Sequence, residues 1–329
     1  ATDGEFTDAL QQSFEVVDST VSFNNKKYYD ITRNTRFSDV LSNAEITFFN
    51  ESESNFYNSL LSLRFASGIR IDQLLAGMEA RRFIKENFEP DLELWDDAIT
   101  RYQNYDGGIK LLPYGDSDTF ISMRVALLNY DHFNQESLTT YFYNIVNNED
   151  SDLHSVVYAY TGLSLFKEPV LLDMYELLEL EDLTDTHRIS LGLGLESIGD
   201  KIKATEIFKD VLIRTVKTGA TTVVSISESD GENHVAAGLL ATLAAKLGDF
   251  SNGDVLFDYV HEIPSIYEIA YIEQLSYMKN RNIMDSDEIK ALSGKVTVSY
   301  SGKDETFEMF GFETKTLTVS REDLKNMTI

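Results

Sequence analysis

The chain has 329 residues, with 28 Lys and Arg against 55 Asp and Glu, a formal charge of −27. A field of that sign repels nucleic acid and anionic membrane surfaces, so neither is expected as a partner. Hydrophobic residues at 43% and aromatics at 12% exclude wholesale disorder, and the length admits two domains or one large toroid or barrel.

There is no cysteine, which removes disulfides, thiolate zinc sites and cysteine nucleophiles together. No apolar run approaches the ~20 residues of a membrane span, so direct membrane insertion is not expected. The opening ATDGEFTD has neither the basic region nor the apolar core of a signal peptide. The closing KNMTI follows directly on a strand-like stretch and reads as a boundary inside a longer chain.

The first fifty residues are β-patterned, with FEVVDSTVSF, an Asn24-Asn25 turn signal, KKYYDITRNTRF and the partly alternating AEITFF. From Asn55 apolar residues recur at three- and four-residue spacing in FYNSLLSLRFA, DQLLAGMEARRFIKENF and LWDDAITRYQ, as one face of a helix requires. Between Arg101 and Thr119 the helical pattern gives way to RYQNYDGGIKLLPYGDSDT. Gly107 and Gly108 supply positive φ at little steric cost, and Pro113 with Gly115 marks a second turn. The stretch is expected to be structural. One of the two glycines should close, in a left-handed conformation, a helix ending near Gln103, and Asp116 or Ser117 should cap the next helix.

Helical spacing resumes in TFISMRVALLNYDHF, ESLTTYFYNIVNN, DLHSVVYAYTGLSLF, EPVLLDMYELLEL, LTDTHRISLGLGLESIG and DKIKATEIFKDVLIRTV. Ser137, Asp152, Thr184 and Asp200 stand at cap-like starts. TTVVSISES interrupts, as a strand or an extended crossing, before helices return in ENHVAAGLLATLAAKLG, NGDVLFDYVHEI and SIYEIAYIEQLSYMKN. The chain closes on β-patterned KVTVSYSGKDETFEMFGFETKTLTVSRED, with SGKD as a hairpin turn. The order strands, helices, strands predicts a helical domain inserted into one β-domain. The fold class expected is mainly α. About twelve sequential helices suit an α/α toroid of about six helical hairpins, since a solenoid would show a repeat of roughly 34–47 residues and none is visible.

Candidates for chemistry are few. His132, His154, His187, His234 and His261 are scattered, without HxxxH or HExxH, and no metal or cofactor is expected. No Gly-x-Ser-x-Gly turn and no phosphate loop appear; Gly192-Leu-Gly194 lies inside a helical pattern. Asp96-Asp97, Asp116 with Asp118, and Glu149-Asp150 have the composition of a glycosidase acid and base, but solvated charge and helix N-capping account for them. The 20 Phe and 17 Tyr fall mostly at helical spacing and read as packing.

The segment WDDAITRYQNYDGGIKLLPYGDSDTFISMRVALLNY, from Trp95 to Tyr130, resembles the thioester-containing domain of the α2-macroglobulin and complement family, especially its bacterial members. Gln103, Asn104, Asp106, Gly107, Gly108, Gly115, Ser117 and Asp118 carry the resemblance in order and spacing. Upstream, FYNSLLSLRFASGIRIDQLLAGMEARRFI is similar to the segment in which the family places Gly-Cys-x-Glu-Gln at a helix start. Aligning Gly68 puts Ile69 at the cysteine position, and aligning Asp72-Gln73 puts Arg70 there. A thioester needs a thiol, so covalent capture is not expected by either alignment, and Gln73 becomes an ordinary helix-start residue.

The resemblance implies a toroid, about residues 53–292, inserted into a small CUB-like β-sandwich built from about 1–52 and 293–329. It further implies a non-catalytic fragment of an exported, cell-surface bacterial protein that traps proteases. Its partners would be other domains of the same parent chain and target proteases. The alternatives are a polysaccharide-active enzyme on a toroid and an adhesion module. An enzyme should place two carboxylates and exposed aromatics at the toroid's open end, whereas a degenerate thioester turn should have no acid pair in reach.

Overall fold

A computed structural model describes residues 2–3, 6–7, 43–48, 54–66, 68–87, 91–94, 99–128, 131–218, 222–227, 229–262, 270–281, 293–310 and 315–329. The runs FEVVDSTVSF and KKYYDITRNTRF and the pair Asp96-Asp97 lie outside these residues.

Two short strands, β1 (Thr2–Asp3) and β2 (Phe6–Thr7), precede β3 (Ala44–Phe48). Helices α1 (Ser54–Leu63) and α2 (Ile71–Asn87) follow, then a 3-10 turn at Ile99–Tyr102. Next come α3 (Thr119–Leu128), α4 (Gln135–Val146), α5 (Leu153–Leu165), α6 (Leu171–Leu178), α7 (Asp185–Ser197) and α8 (Lys201–Thr215). TTVVSISES contributes β5 (Val223–Val224), paired with β4 (Val216–Lys217). After α9 (Asp230–Leu247), α10 (Phe250–Glu262) and α11 (Tyr271–Asn280), the chain returns to strands β6 (Ser293–Tyr300), β7 (Lys303–Phe310) and β8 (Lys315–Val319), and then α12 (Arg321–Lys325).

Burial sorts the helices into two kinds. In α3 every residue but Phe120 is buried, and α11 buries the unbroken run Ile272–Met278. Such helices have no solvent face and must be surrounded. α4 buries only Leu138, Tyr141 and Phe142, and α6 only Met174 and Leu177, the single stripe of a helix at the periphery. Contacts follow the same division: α3 packs on α5, α5 on α7, α7 on α9, α9 on α11, and α11 returns to α3. Against these lie α4 on α5, α6 on α5 and α7, α8 on α7 and α9, α10 on α9 and α11, and α1 on α2 and α11. Close approach needs small residues: a Cβ on Gly162 of α5 would stand 2.4 Å from the Phe142 ring.

Asp152, Thr184 and Asp200 cap their helices as the sequence predicts, accepting from Ser155 N at 2.8 Å, His187 N at 3.2 Å and Lys203 N at 3.1 Å. Ser137 does not. Asn134 caps α4, and the Ser137 amide is the donor its side chain receives, at 2.8 Å. A short oxygen side chain three residues earlier took the role.

The strands before and after the helices meet. β3 and β8 pair antiparallel from Ala44↔Val319 to Phe48↔Lys315, and β6 and β7 form a hairpin closed by Ser301 and Gly302, both at positive φ as a primed turn requires. Phe48, Val298, Met309, Val319, Leu324 and Met327 make a second apolar cluster, separate from that of the helices. Phe307 stands edge-on to Phe48 with centroids 5.1 Å apart.

Candidate functional site

The turn from α1 into α2 carries the five residues the sequence assigns to a former thioester position. Gly68 has positive φ, and a Cβ there would lie 2.2 Å from Gln73 Oε1. The Gln73 carboxamide therefore folds back over Gly68. Ile69 is 55% exposed, while its carbonyl accepts the Tyr102 hydroxyl at 2.7 Å. Arg70 grips Asp72 at two points, Nε to Oδ1 at 3.0 Å and Nη2 to Oδ2 at 2.6 Å. Asp72 is buried and also accepts the Gln73 amide at 2.9 Å. The turn thus holds an ion pair and a carboxamide, and neither can acylate a target.

The loop from Gln103 to Asp118 is a hydrogen-bonded unit. Gln103 Nε2 donates to Gly107 O at 3.0 Å and Asn134 O at 2.9 Å, and its Oε1 accepts from Asn134 N at 2.8 Å. A carboxamide is required, because it must donate and accept at once. Asn104 exchanges backbone bonds with Gly107 and Gly108 at 3.0 and 2.8 Å. Asp106 Oδ1 accepts Gly108 N at 2.9 Å and Ser117 Oγ at 2.6 Å. Gly115 N closes the second turn on Leu112 O at 3.0 Å.

Gly107, at φ +92°, is the left-handed glycine, and a Cβ on it would lie 2.0 Å from Ser137 O. A Cβ on Gly108 would meet Ser117 Cβ and Tyr141 Cε2, each at 2.6 Å. The helix preceding them is the 3-10 turn Ile99–Tyr102. Neither Asp116 nor Ser117 caps α3. Lys110 and Ser117 form an antiparallel bridge that draws Ser117 back into the loop, so the cap falls to Asp118, which accepts from Ile121 N at 2.8 Å.

Turn and loop touch. Ile71 N donates to Leu111 O at 3.0 Å, and both segments open onto a cavity of about 150 Å³ lined by Arg70, Asp72, Leu111, Asp118, Phe120 and Arg124 among others. Asp72 and Asp118 therefore line one cavity beside this turn, where the resemblance led to the expectation of no acid pair in reach. Both are engaged, Asp72 by Arg70 and Asp118 by the Ile121 amide of α3. Tyr105 and Tyr114 on the loop are 99% and 76% exposed.

Arg124, on the wall of the cavity, belongs to a buried ion pair that the sequence did not reveal. Arg124 Nε and Nη2 reach Glu273 Oε1 and Oε2 at 2.5 and 2.8 Å, with side chains 4% and 0% exposed. A Cβ on Gly238 would lie 2.4 Å from Glu273 Cβ, so α9 makes room for it. The available signal was one charge in each of two apolar runs, ISMRVALL and AYIEQLSY. Burial, then Asp72, raises the Tyr271 phenol above its ordinary pKa, and burial, then Glu232 and Asp118, does the same for Tyr158. Both stay neutral hydroxyls at neutral pH. Among the described residues no group of three or more His, Asp or Glu side chains could hold a metal ion.

This architecture matches solved structures of bacterial α2-macroglobulin. Native α2-macroglobulin of Escherichia coli, in a structure running from domain MG7 to the C-terminus, superposes with a TM-score of 0.56 at 14% identity, over 89% of this chain and 50% of that one. A reconstruction of the native E. coli protein gives 0.56 at 15% identity, over 89% of this chain and 20% of that one. Salmonella α2-macroglobulin reacted with methylamine gives 0.55 at 14% identity, over 83% and 20%. The chain thus shares the fold of part of a larger multidomain chain and spans half or less of the length of these structures. No family model matches it, and no curated protein matches it in sequence.

Proposed function

We propose that the chain is the degenerate thioester-type domain, with its CUB-like β-domain, of an exported bacterial α2-macroglobulin-like protein that traps proteases without bonding to them. The observation that carries this reading is the fold likeness to bacterial α2-macroglobulin in a chain without cysteine. In this reading residues 53–292 form an α/α toroid and 1–52 with 293–329 form the β-domain. The cyclic packing of α3, α5, α7, α9 and α11 supports the toroid. The β3–β8 pairing supports the insertion.

The Arg70–Asp72 pair and the Tyr102 and Leu111 contacts hold the degenerate turn as a fixed packing element. Partners are other domains of the parent chain and the trapped protease. No helix among the described residues is long and apolar enough to cross a membrane. The polysaccharide-enzyme reading lacks a carrier, because the two carboxylates at the cavity are already engaged and glycoside cleavage needs one as acid and one as base or nucleophile.

The test is to incubate the full-length parent protein with a protease and compare hydrolysis of a large protein substrate with that of a small peptide. Trapping predicts loss of the first and retention of the second. Equal retention of both overturns the proposal.

A further inference from the structure

Five of the twelve large apolar side chains exposed among the described residues gather on α6 and the start of α8: Leu171, Leu172, Tyr175, Leu180 and Ile202. Leu172 and Ile202 are the most open, at 77% and 79%. α6 buries one stripe, Met174 and Leu177, against α5 and α7. A helix that carries apolar residues on its outer side as well has a second face, which none of the described residues covers.

Helical spacing makes this face continuous. Leu171 and Leu172 stand four and three residues before Tyr175, so the three side chains are neighbours on one side of α6. Tyr175 then reaches across to α8: its hydroxyl donates to Asp200 Oδ2 at 2.6 Å, and Asp200 caps α8 by accepting from Lys203 N at 3.1 Å. Ile202 sits in the turn that Asp200 caps. The patch therefore passes from one peripheral helix to the next. Apolar side chains scattered singly over a surface are ordinary, whereas a gathered patch rimmed by polar groups marks an interaction site.

The charge around the patch selects the partner. From Glu168 to Asp185 the sequence has seven acidic residues and no Lys or Arg. Glu168 and Asp173 accept the hydroxyls of Tyr143 and Tyr160, and Asp185 is held by Arg214. Glu176, Glu179, Glu181 and Asp182 are exposed, and among the described residues no ion pair reaches them. The lysines in the adjoining turn of α8 are bound to other acids, Lys201 to Glu196 at 3.7 Å and Lys203 to Glu206 at 3.1 Å.

We propose that the outer face of α6 and the first turn of α8 form a docking surface for a cationic amphipathic helix of a separate partner protein. Its apolar stripe covers Leu172, Tyr175 and Ile202, and Lys or Arg on its flanks meets Glu176 and Glu179. α6 is about 12 Å long, which roughly two turns of such a helix match. A second copy does not fit, because it would set the same acids against each other in a chain of charge −27, and an anionic membrane is repelled likewise. This docking is independent of protease trapping.

The test titrates the 15N-labelled chain with a peptide of about 14 residues, Leu at every third and fourth position as one helix face requires and Lys elsewhere. The same residues scrambled, so that the leucines share no face, are the control. Amide shifts confined to α6 and the start of α8 are expected, with binding about tenfold or more tighter than that of the scrambled peptide. Leu172→Ser with Ile202→Ser should weaken binding about tenfold or more, as should Glu176→Lys with Glu179→Lys. Ile213→Ser, as exposed at the far end of α8, should leave it unchanged. All these positions are on the surface, so the variants should fold, which their thermal melts check. Equal binding of the scrambled peptide, or equal loss with Ile213→Ser, reduces the attraction to net charge and overturns the proposal. So does a dimer of the chain that Leu172→Ser abolishes, which makes a second copy the occupant. Failure of the full-length parent protein to bind the peptide overturns it too, by placing a sibling domain over the face.

Discussion

Replacing Gly107 by Ala adds one methyl group, and the structure states what that methyl meets. At φ +92° any L-residue is strained by about 1–2 kcal/mol. The new Cβ would also lie 2.0 Å from Ser137 O, a backbone atom in the first turn of α4. Either the loop or α4 must shift, stretching the Gln103–Asn134 bonds, which as overpacking costs about 1–3 kcal/mol more. The sum is about 2–5 kcal/mol. If roughly 240 residues melt together, with about 0.5 kcal/mol/K of unfolding entropy, Tm falls by about 4–10 °C. Gly115→Ala is the control, because its Cβ finds nothing nearer than Leu112 O at 3.5 Å and should change stability by no more than about 0.5 kcal/mol. Scanning calorimetry on both variants decides. A Gly107→Ala protein melting with the wild type would refute the view that this loop is a fixed structural anchor.

Three further outcomes are expected. Arg124→Met strands Glu273 in the core and should destabilise the protein by about 3–5 kcal/mol, with Glu273→Leu added to it recovering most of the loss, as measured by urea unfolding. Because burial, then the His154 ring at 3.0 Å, lowers the His187 pKa in the fold to about 4 from 6.5, the unfolded chain binds the extra proton. Stability should therefore fall as pH drops from about 6.5 towards 4, by roughly 1–2 kcal/mol after solvent screening, and this slope should be missing in His187→Gln. Methylamine should leave the intact mass of the chain unchanged; a gain mapping to Gln73 would contradict the loss of acylating chemistry.

The helices were legible because burial and period agree: ENHVAAGLLATLAAKLG is apolar almost all round and became α9, surrounded by α7, α8, α10 and α11. The loop was legible from Asp106-Gly107-Gly108, whose small residues answer a steric demand that any side chain would violate. Its cap was misplaced by one or two residues because the Lys110–Ser117 bridge is a tertiary constraint that local capping preference does not contain. Ser137 misled in the same way, since Asn134 satisfies the same amides from an earlier position. Arg124 with Glu273 and His154 with His187 stayed hidden because each pair joins helices far apart in sequence. A single charge or imidazole on a helix gives no hint of its partner until the helices are packed.

The most direct test of a trap without covalent capture is one mass measurement on the full-length parent protein mixed with a protease, made under native and then denaturing conditions. The account predicts a native complex that contains the protease and that separates on denaturation into unmodified protease and cleaved protein. A denaturation-resistant adduct mapping to Gln73, or the absence of any native complex, would contradict it.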